Sequence, residues 1–293
     1  MRLLVTGAHG QVARSLKERS AGRDVTMMFA SRPQVDLGEP GAIAAAIREA
    51  APDLVINAAA YTNVDLAETE RALAFRTNAA AAGEAAAAAA EVGAAIIQLS
   101  TDYVFEGNVD RPWREDDPVN PVNAYGASKA AGEEMVRAAN PRHTIVRTSW
   151  VVSPFGRNFV KTMVEAARSR DLLRVVDDQR GRPTSALDLA AALFTIADAV
   201  VGGRRDVGRT YHVAGSGEAS WFDLAREVMG ECTRLGLPAA RVEPVSSAEW
   251  PTPAVRPLNS VLDCGRAETD LGIRLPDWRN SVRDIVGRLA PPE

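Results

Sequence analysis

Short apolar runs alternate with amphipathic stretches through the first half of the chain. The apolar runs predict strands at Leu3–Thr6, Val25–Ala30, Asp53–Asn57, Ala94–Ser100 and Thr144–Trp150. Between them, helical periodicity predicts Gln11–Arg19, Gly41–Ala50, Ala67–Val92 with a break near Thr77–Asn78, and Ala124–Ala139. Buried strands that alternate with helices indicate an α/β fold with a parallel, doubly wound sheet.

The second half of the chain is less regular. It predicts helices at Asn158–Arg170, Ser185–Val201 and Ser220–Leu235, and strands at Leu173–Val176 and Thr210–Ala214. Residues 236–262 are rich in Pro and Val with little periodicity, which favours a lobe built from loops. We expect residues 1–150 to form the sheet domain, with the strands near 173–176 and 210–214 returning to it. Residues 151–293 should then form mainly a smaller C-terminal lobe that closes a cleft.

Composition and charge exclude some broad classes of function. The chain has 293 residues, 46% of them hydrophobic and 25% charged, which is ordinary for a globular protein. Its net charge of −4 argues against a nucleic-acid or membrane-surface partner. The N-terminus has no signal-peptide pattern, and no apolar run reaches the ~18 residues of a membrane span. The two cysteines and three histidines are scattered, so we expect a cytoplasmic protein with no metal.

A glycine-rich loop joins the first predicted strand to the first predicted helix. Gly7 and Gly10 stand in a G-x-x-G-x-x-A pattern followed by Gln11 and Val12. Gly7 permits a tight turn, and Gly10 lets backbone N–H groups approach a pyrophosphate at the positive end of the helix. An ordinary strand–helix turn explains the glycines less well in this context. The loop therefore predicts a Rossmann-like dinucleotide site within residues 1–150.

The residues after the second and third strands bear on the choice of cofactor. Ser31 and Arg32 end the second strand where an acidic residue would bind the ribose of NADH, so they favour NADPH, with NADH possible. Asp36 and Leu37 are expected near the adenine. The small residues after the third strand are expected to line the middle of the cofactor; they are Ala58, Ala59 and Ala60, followed by Tyr61 and Thr62.

Tyr125 and Lys129 are four residues apart on a predicted helix, so they share one face of it. An ammonium group beside a phenol favours the phenolate, and a tyrosine so placed can exchange a proton with a carbonyl or alcohol oxygen. Thr101 ends the fourth strand and offers a hydroxyl to the same oxygen. We expect a hydride from the nicotinamide and a proton from Tyr125, with Lys129 also holding the nicotinamide ribose.

With these residues assembled, the chain resembles the extended short-chain dehydrogenase/reductase family, and within it the reductases of dTDP-4-dehydro sugars. The resemblance covers nearly the whole chain and rests on seven stretches: Gly7–Val12, Asn57–Asp65, Ser100–Phe105, Tyr125–Lys129, Arg147–Trp150, Asp177–Thr184 and Trp250–Ser260. It implies that NADPH reduces the C4 ketone of dTDP-4-dehydro-β-L-rhamnose to dTDP-β-L-rhamnose, the last step of dTDP-rhamnose biosynthesis. Thr101, Tyr125 and Lys129 would be its catalytic set.

The resemblance also implies the substrate contacts. Thr101, Asp102, Tyr103 and Trp150 would contact the sugar, and Arg182, Arg256 and Asn259 the nucleotide diphosphate. A core role for Trp150, and solvated loops for Arg182 and the run from Arg256 to Asn259, stay open. Asn78 is expected either to bind backbone near the site or to break its helix. Ser15 stands where some relatives carry a magnesium-binding glutamate, so a monomer or an ordinary homodimer is expected rather than a metal-bridged one.

Two other functions remain open. The same chemistry on another dTDP-deoxysugar would use the same residues, and a non-catalytic regulatory relative would keep the fold without the reaction. The intact set of Thr101, Tyr125 and Lys129 favours an enzyme.

Overall fold

A six-stranded parallel sheet forms the centre of the computed structural model, which describes residues 1–203 and 208–290. Its strands are β1 (Arg2–Thr6), β2 (Thr26–Ala30), β3 (Leu54–Asn57), β4 (Ala95–Thr101), β5 (His143–Thr148) and β10 (Arg209–His212). They lie in the order β10-β5-β4-β3-β1-β2, and every neighbouring pair is parallel. The predicted α/β fold with a doubly wound parallel sheet is confirmed. The order in which successive strands are added to the sheet reverses between β1 and β3, and ligands of such sheets bind at this point.

Helices cover both faces of this sheet. They are α1 (Gln11–Arg19), α2 (Ala42–Ala50), α3 (Arg71–Phe75), α4 (Ala81–Glu91), α5 (Ala124–Ala139) and α7 (Ala186–Val201). Successive residues of a strand point to opposite faces. Leu3 and Val5 therefore pack in the apolar core shared by α1 and α7, whereas Leu4 packs in the core shared by α2 and α4.

The long helix predicted at Ala67–Val92 is divided, as its break near Asn78 suggested. A 3-10 turn (Leu66–Glu68) and α3 precede a π-helical turn (Arg76–Ala80), and α4 follows. The π turn lies against α5, where a Cβ on Gly132 would come within 2.1 Å of the Asn78 carbonyl oxygen. A glycine at this position therefore brings the two helices close together.

A second, smaller lobe packs beside the carboxyl edge of the sheet. Its helices are α6 (Phe159–Ala166), α8 (Trp221–Arg234) and α10 (Trp278–Leu289), which share one apolar core, whereas α9 (Gly265–Leu271) packs against α7 and β10 of the sheet domain. Two short strand pairs lie outside the central sheet: β6 (Val151–Val152) pairs with β9 (Thr184–Ser185), and β8 (Arg180–Gly181) pairs with β11 (Ala219–Ser220). Within the described residues, none of the helices has the length and apolarity needed to cross a membrane.

One predicted strand does not lie where we expected. The segment near 173–176 does not return to the central sheet. It forms β7 (Leu172–Val176), which pairs in parallel with β12 (Arg241–Val245) in the second lobe. β12 is also a strand inside the region predicted as loops. Pro244 lacks a donor N–H, and a two-stranded pair leaves each strand an open edge where proline is tolerated.

Candidate active site

A cavity of about 1150 Å³ opens at the carboxyl ends of β1, β2, β3 and β4. All of the residues predicted to bind the cofactor line it: Gly7, Gly10, Gln11, Val12, Ser31, Arg32, Asp36, Leu37, Ala58, Ala59, Ala60, Tyr61, Thr62, Tyr125 and Lys129. Thr101, Asp102 and Trp150 lie on the same wall. The fold therefore brings the predicted cofactor residues and the predicted catalytic residues to one space.

The glycine loop leaves room for a backbone-bound anion. Gly7 has φ +77°, and a Cβ added to it would lie 3.0 Å from the Cβ of Ala59. Gly10 begins α1 without a side-chain cap, so the first N–H groups of this nine-residue helix are open to a ligand. These features fit the pyrophosphate of a dinucleotide.

The end of β2 carries an unpaired cation at the cavity. Arg32 is exposed, and its guanidinium forms no hydrogen bond or ion pair with any residue in 1–203 or 208–290. The Asp36 carboxylate, by contrast, has a partner within its own loop, because its Oδ1 accepts a hydrogen bond from the Gly38 N–H at 2.9 Å. A free arginine at the end of this strand fits the 2′-phosphate that distinguishes NADPH from NADH.

Asn78 ties the cofactor loop to helix α5. Its amide nitrogen donates to the Tyr61 carbonyl oxygen at 3.0 Å and to the Ser128 hydroxyl at 2.9 Å. Its amide oxygen accepts from the Tyr61 N–H at 2.8 Å. Asn78 also lies in the π-helical turn, so both roles considered for it are present.

Helix α5 is held against the end of β4 by its first turn. The Asn123 side chain accepts a hydrogen bond from the Gly126 N–H at 2.7 Å and caps the helix. A Cβ on Gly126 would lie 2.1 Å from the Tyr103 carbonyl oxygen, so only glycine allows this approach. Tyr125 is thereby brought beside Thr101.

The ammonium group of Lys129 points at the sheet, and its Nζ donates to the Leu99 carbonyl oxygen at 2.7 Å. Burial lowers the pKa of Lys129 to about 8, while the negative charge of Glu133 acts in the opposite direction. Burial raises the pKa of Tyr125 to about 12, and a hydrogen bond with Thr101 only partly offsets this. The expected lowering of the Tyr125 pKa by Lys129 stays a prediction, since in the protein without ligand burial outweighs the groups that lower this pKa. A protonated phenol is nonetheless the state that reduction of a ketone requires.

Thr101 is the last residue of β4, and its hydroxyl is fully engaged. Its Oγ1 donates to Asp102 Oδ1 at 2.8 Å and accepts from the Tyr103 N–H at 3.2 Å, besides its contact with Tyr125. Burial raises the pKa of Asp102 to about 7, and the hydrogen bonds of Ser260 and Thr101 oppose that shift. The wall of the cavity thus carries an acid that can titrate near neutral pH.

Trp150 also lines the cavity and is held by aromatic stacking. Its backbone has φ +47°, and its ring stacks on Trp221 with centroids 3.6 Å apart and planes 6° apart. A Cβ on Gly181 would lie 2.4 Å from the Trp150 ring. Trp221 escaped our sequence argument, because only the docking of α8 in the second lobe reveals it as a partner of Trp150.

Comparison with known proteins assigns a family to this site. The family model described as "RmlD substrate binding domain" matches residues 1–290. The dTDP-4-dehydrorhamnose reductase of Sinorhizobium fredii is 46% identical over 290 residues, which cover 99% of this chain and 98% of that protein. The chain belongs to the dTDP-4-dehydrorhamnose reductase family.

Solved structures of dTDP-4-dehydrorhamnose reductases share the whole architecture. The Clostridium acetobutylicum protein has a TM-score of 0.91 at 39% identity, with 99% of both chains covered. The Bacillus anthracis protein, solved in complex with NADP, has a TM-score of 0.88 at 33% identity, with 97% of this chain and 98% of that chain covered. The resemblance drawn from the sequence motifs is confirmed.

Four residues predicted to contact the substrate of such a reductase do not line the cavity: Tyr103, Arg182, Arg256 and Asn259. Arg256 pairs with Asp65 at 2.9 Å, and Asn259 donates to the carbonyl oxygens of Val109 and Arg111 at 2.7 and 3.0 Å. In the protein without ligand, Arg256 and Asn259 therefore join loops to one another.

Tyr103 and Arg182 also have protein partners. Tyr103 is buried, and its ring meets that of Tyr125 edge-on with centroids 6.0 Å apart. The Arg182 guanidinium lies 3.8 Å from the Cys264 sulfur, and the Arg182 carbonyl oxygen accepts from the Ser149 hydroxyl at 2.7 Å. The resemblance pointed to all four residues, but only packing shows that their side chains are engaged within the protein.

Proposed function

We propose that the protein catalyses the NADPH-dependent reduction of the C4 ketone of dTDP-4-dehydro-β-L-rhamnose to dTDP-β-L-rhamnose. This reaction is the last step of dTDP-rhamnose biosynthesis. One observation carries the proposal above all: Thr101, Tyr125 and Lys129 line the same cavity as the glycine loop. Relatives named dTDP-4-dehydrorhamnose reductase across nearly the full length support the choice of substrate.

The roles of the residues follow from their positions. Gly7 and Gly10 hold the pyrophosphate, and Ser31 and Arg32 hold the 2′-phosphate. When bound, NADPH supplies the hydride that goes to C4 of the sugar. Lys129 has one N–H on the Leu99 carbonyl, so its others are free to orient the nicotinamide ribose.

Tyr125 supplies the proton. Its phenol is protonated at neutral pH, since burial raises its pKa to about 12. As hydride reaches C4, the phenol O–H breaks and a new O–H forms on the former ketone oxygen. The positive charge of Lys129 on the next turn of α5 then stabilises the phenolate that remains. Trp150 and Asp102 line the part of the cavity next to this oxygen and are the candidates for contacting the sugar.

The substrate is tested by following NADPH oxidation with purified protein. We expect turnover with dTDP-4-dehydro-β-L-rhamnose and little with the stereoisomeric dTDP-4-dehydro-6-deoxy-D-glucose, and faster turnover with NADPH than with NADH. Turnover of another keto sugar alone would indicate a different deoxysugar pathway. If NADPH binds but no keto sugar is reduced, the chain is a non-catalytic relative.

The proton donor is tested by Tyr125→Phe. Loss of a general acid typically costs about 10²- to 10⁴-fold, so kcat should fall in this range while the NADPH Kd stays near the wild-type value. Tyr211→Phe is the matched control, because that phenol lies on β10 beside Asp270, outside the cavity. Near-normal turnover of Tyr125→Phe would show that another group donates the proton.

We also propose a cytoplasmic location and a monomer or simple homodimer. Cys232 and Cys264 are free thiols, as suits a reducing compartment. Fractionation of the native cell would test the first proposal, and light scattering of the purified protein the second.

A further inference from the structure

The loop that joins β6 to α6, residues 153–158, lies against the start of helix α1. The Gln11 side chain makes the contact: its Nε2 donates to the Val151 carbonyl oxygen at 3.2 Å, and its Oε1 accepts from the Ser153 hydroxyl at 2.8 Å. A Cβ on Gly156 would lie 3.5 Å from Cγ of Gln11. The loop therefore borders the first turn of α1, whose N–H groups are open to the pyrophosphate of NADPH.

Side chains on both sides fix the shape of this loop. The Asn158 amide nitrogen donates to the Ser153 and Phe155 carbonyl oxygens at 2.7 and 3.2 Å. Its amide oxygen accepts from the Lys161 N–H at 3.2 Å and so caps α6. The Arg14 guanidinium on α1 lies over the Phe155 ring, 4.4 Å from its centroid. The backbone that carries residues 156 and 157 is therefore held beside α1 before any ligand binds.

Arg157 carries an unpaired positive charge in this loop. It is exposed and lines the cavity, and its guanidinium forms no hydrogen bond or ion pair with any residue in 1–203 or 208–290. Lys129, by comparison, donates to the Leu99 carbonyl oxygen, and Arg32 follows the end of β2. Of the lysines and arginines that line the cavity in the described chain, Arg157 is the one that the second lobe contributes.

We propose that Arg157 binds the pyrophosphate of NADPH from the second lobe. The cofactor is anionic at two places, the pyrophosphate and the 2′-phosphate. Arg32 follows β2, where the 2′-phosphate is expected, whereas Arg157 follows Gly156, which borders Gln11 at the start of α1. A guanidinium offers N–H donors in a planar fork, which suits phosphate oxygens that the backbone N–H groups of α1 leave unbound. The inference rests on NADPH as the cofactor, not on which sugar is reduced.

The binding of four ligands tests this role without any turnover. We expect Arg157→Gln to raise the Kd of NADP⁺ and of NAD⁺ by the same factor, about 5- to 20-fold, because both dinucleotides contain the pyrophosphate. The other two ligands are 2′-AMP, which has the 2′-phosphate alone, and dTDP, the nucleotide part of the proposed substrate. Their Kd values should stay within about twofold of wild type. Isothermal titration calorimetry measures all four.

Three further variants sharpen the test. Arg32→Gln should show the complementary pattern, weakening NADP⁺ and 2′-AMP but not NAD⁺. Its effect on NADP⁺ should add to that of Arg157→Gln, because the two side chains bind different phosphates. Arg157→Lys keeps the charge without the fork and should lose less affinity than Arg157→Gln. Arg168→Gln is the control and should bind every ligand as wild type does, since Arg168 follows α6 and pairs with the exposed Glu165 at 3.3 Å.

Three outcomes would overturn the proposal. An unchanged Kd of both dinucleotides in Arg157→Gln would mean that Arg157 is a solvated loop residue. A loss confined to NADP⁺ and 2′-AMP would mean that Arg157 binds the 2′-phosphate, and a loss confined to dTDP would mean that it binds the diphosphate of the substrate. Wild-type protein that binds neither dinucleotide would refute the cofactor itself, whereas protein that binds NADP⁺ but reduces no keto sugar would refute only the proposed reaction.

Discussion

Two buried carboxyl groups, Glu133 on helix α5 and Asp102 beside it, have nearly the same exposure but pKa values shifted in opposite directions. Glu133 is 1% exposed and Asp102 is 2% exposed. Glu133 accepts two hydrogen bonds from Arg147, at 2.9 and 2.7 Å, and one from Arg137 at 2.8 Å. Burial alone would raise the pKa of Glu133, but these arginines reverse the effect and lower it. Asp102 has only hydroxyl and backbone neighbours, and burial raises its pKa to about 7.

The difference shows that partners, not burial, decide the charge of an enclosed acid. The Glu133 region is a closed ion pair under the edge of the sheet, and its carboxylate has no proton to exchange at neutral pH. Asp102 lines the cavity and keeps one oxygen without a hydrogen-bond partner in the described chain, and its pKa of about 7 leaves it partly protonated at neutral pH. Glu133 therefore stabilises the fold, whereas Asp102 can titrate beside the cavity.

The largest loss of stability is expected from breaking the buried ion pair of Glu133 and Arg147. Glu133→Gln leaves the Arg147 charge buried without its carboxylate, which typically costs about 3–5 kcal/mol of stability. Urea unfolding at pH 7 measures this loss. Glu134→Gln is the matched control, because that neighbour is exposed and pairs with Arg137 at the surface, so it should cost less than about 1 kcal/mol. Equal effects of the two variants would show that the buried pair is no more important than a surface one.

Removing both charges of the pair should cost much less. The double variant Glu133→Leu with Arg147→Met leaves no buried ion behind, and apolar replacements of buried pairs are often neutral or stabilising. We expect its free energy of unfolding to lie within about 2 kcal/mol of wild type, well above that of Glu133→Gln. A double variant as unstable as the single one would show that packing, rather than the uncompensated charge, explains the loss.

The smallest change in stability is expected for Asp102→Asn, and it is a gain rather than a loss. The folded-state pKa of Asp102 is raised from 3.8 to about 7, so stability falls as pH rises through this window and the buried group ionises. At pH 8, Asp102→Asn should therefore raise Tm by about 2–5 °C. At pH 4 this gain should vanish, because the wild-type carboxyl is then neutral too. A lower Tm at both pH values would mean that Asp102 stabilises the fold as a charged group.

Much of this arrangement followed from local sequence. The alternation of apolar runs and helices predicted the sheet, and the carboxyl ends of its strands place Gly7, Thr101 and the Ala58–Thr62 segment on one cavity. The spacing of Tyr125 and Lys129 fixed their common helix face. These features depend on periods of a few residues and on the single edge where parallel strands end.

The features that could not be predicted from the sequence depend on contacts between distant segments of the chain. β7 pairs with β12 rather than with the central sheet, since an apolar run does not specify its neighbour. The stacking of Trp221 on Trp150 and the Arg256–Asp65 pair arise from the docking of the second lobe. The contrast between Asp102 and Glu133 is of the same kind, because it depends on which acid the arginines reach.

The link from fold to function is that the pKa of Asp102 on the cavity wall is raised to about 7 whereas that of Glu133 is lowered. Carboxyl-¹³C NMR of protein labelled in Asp and Glu measures both groups in one titration, with Asp102→Asn and the charge-free double variant of Glu133 and Arg147 assigning the two signals. We expect the Asp102 signal to titrate at about 7 and the Glu133 signal to stay in the ionised position from pH 5 upward. An Asp102 signal already ionised at pH 5 would contradict the electrostatics of the cavity wall.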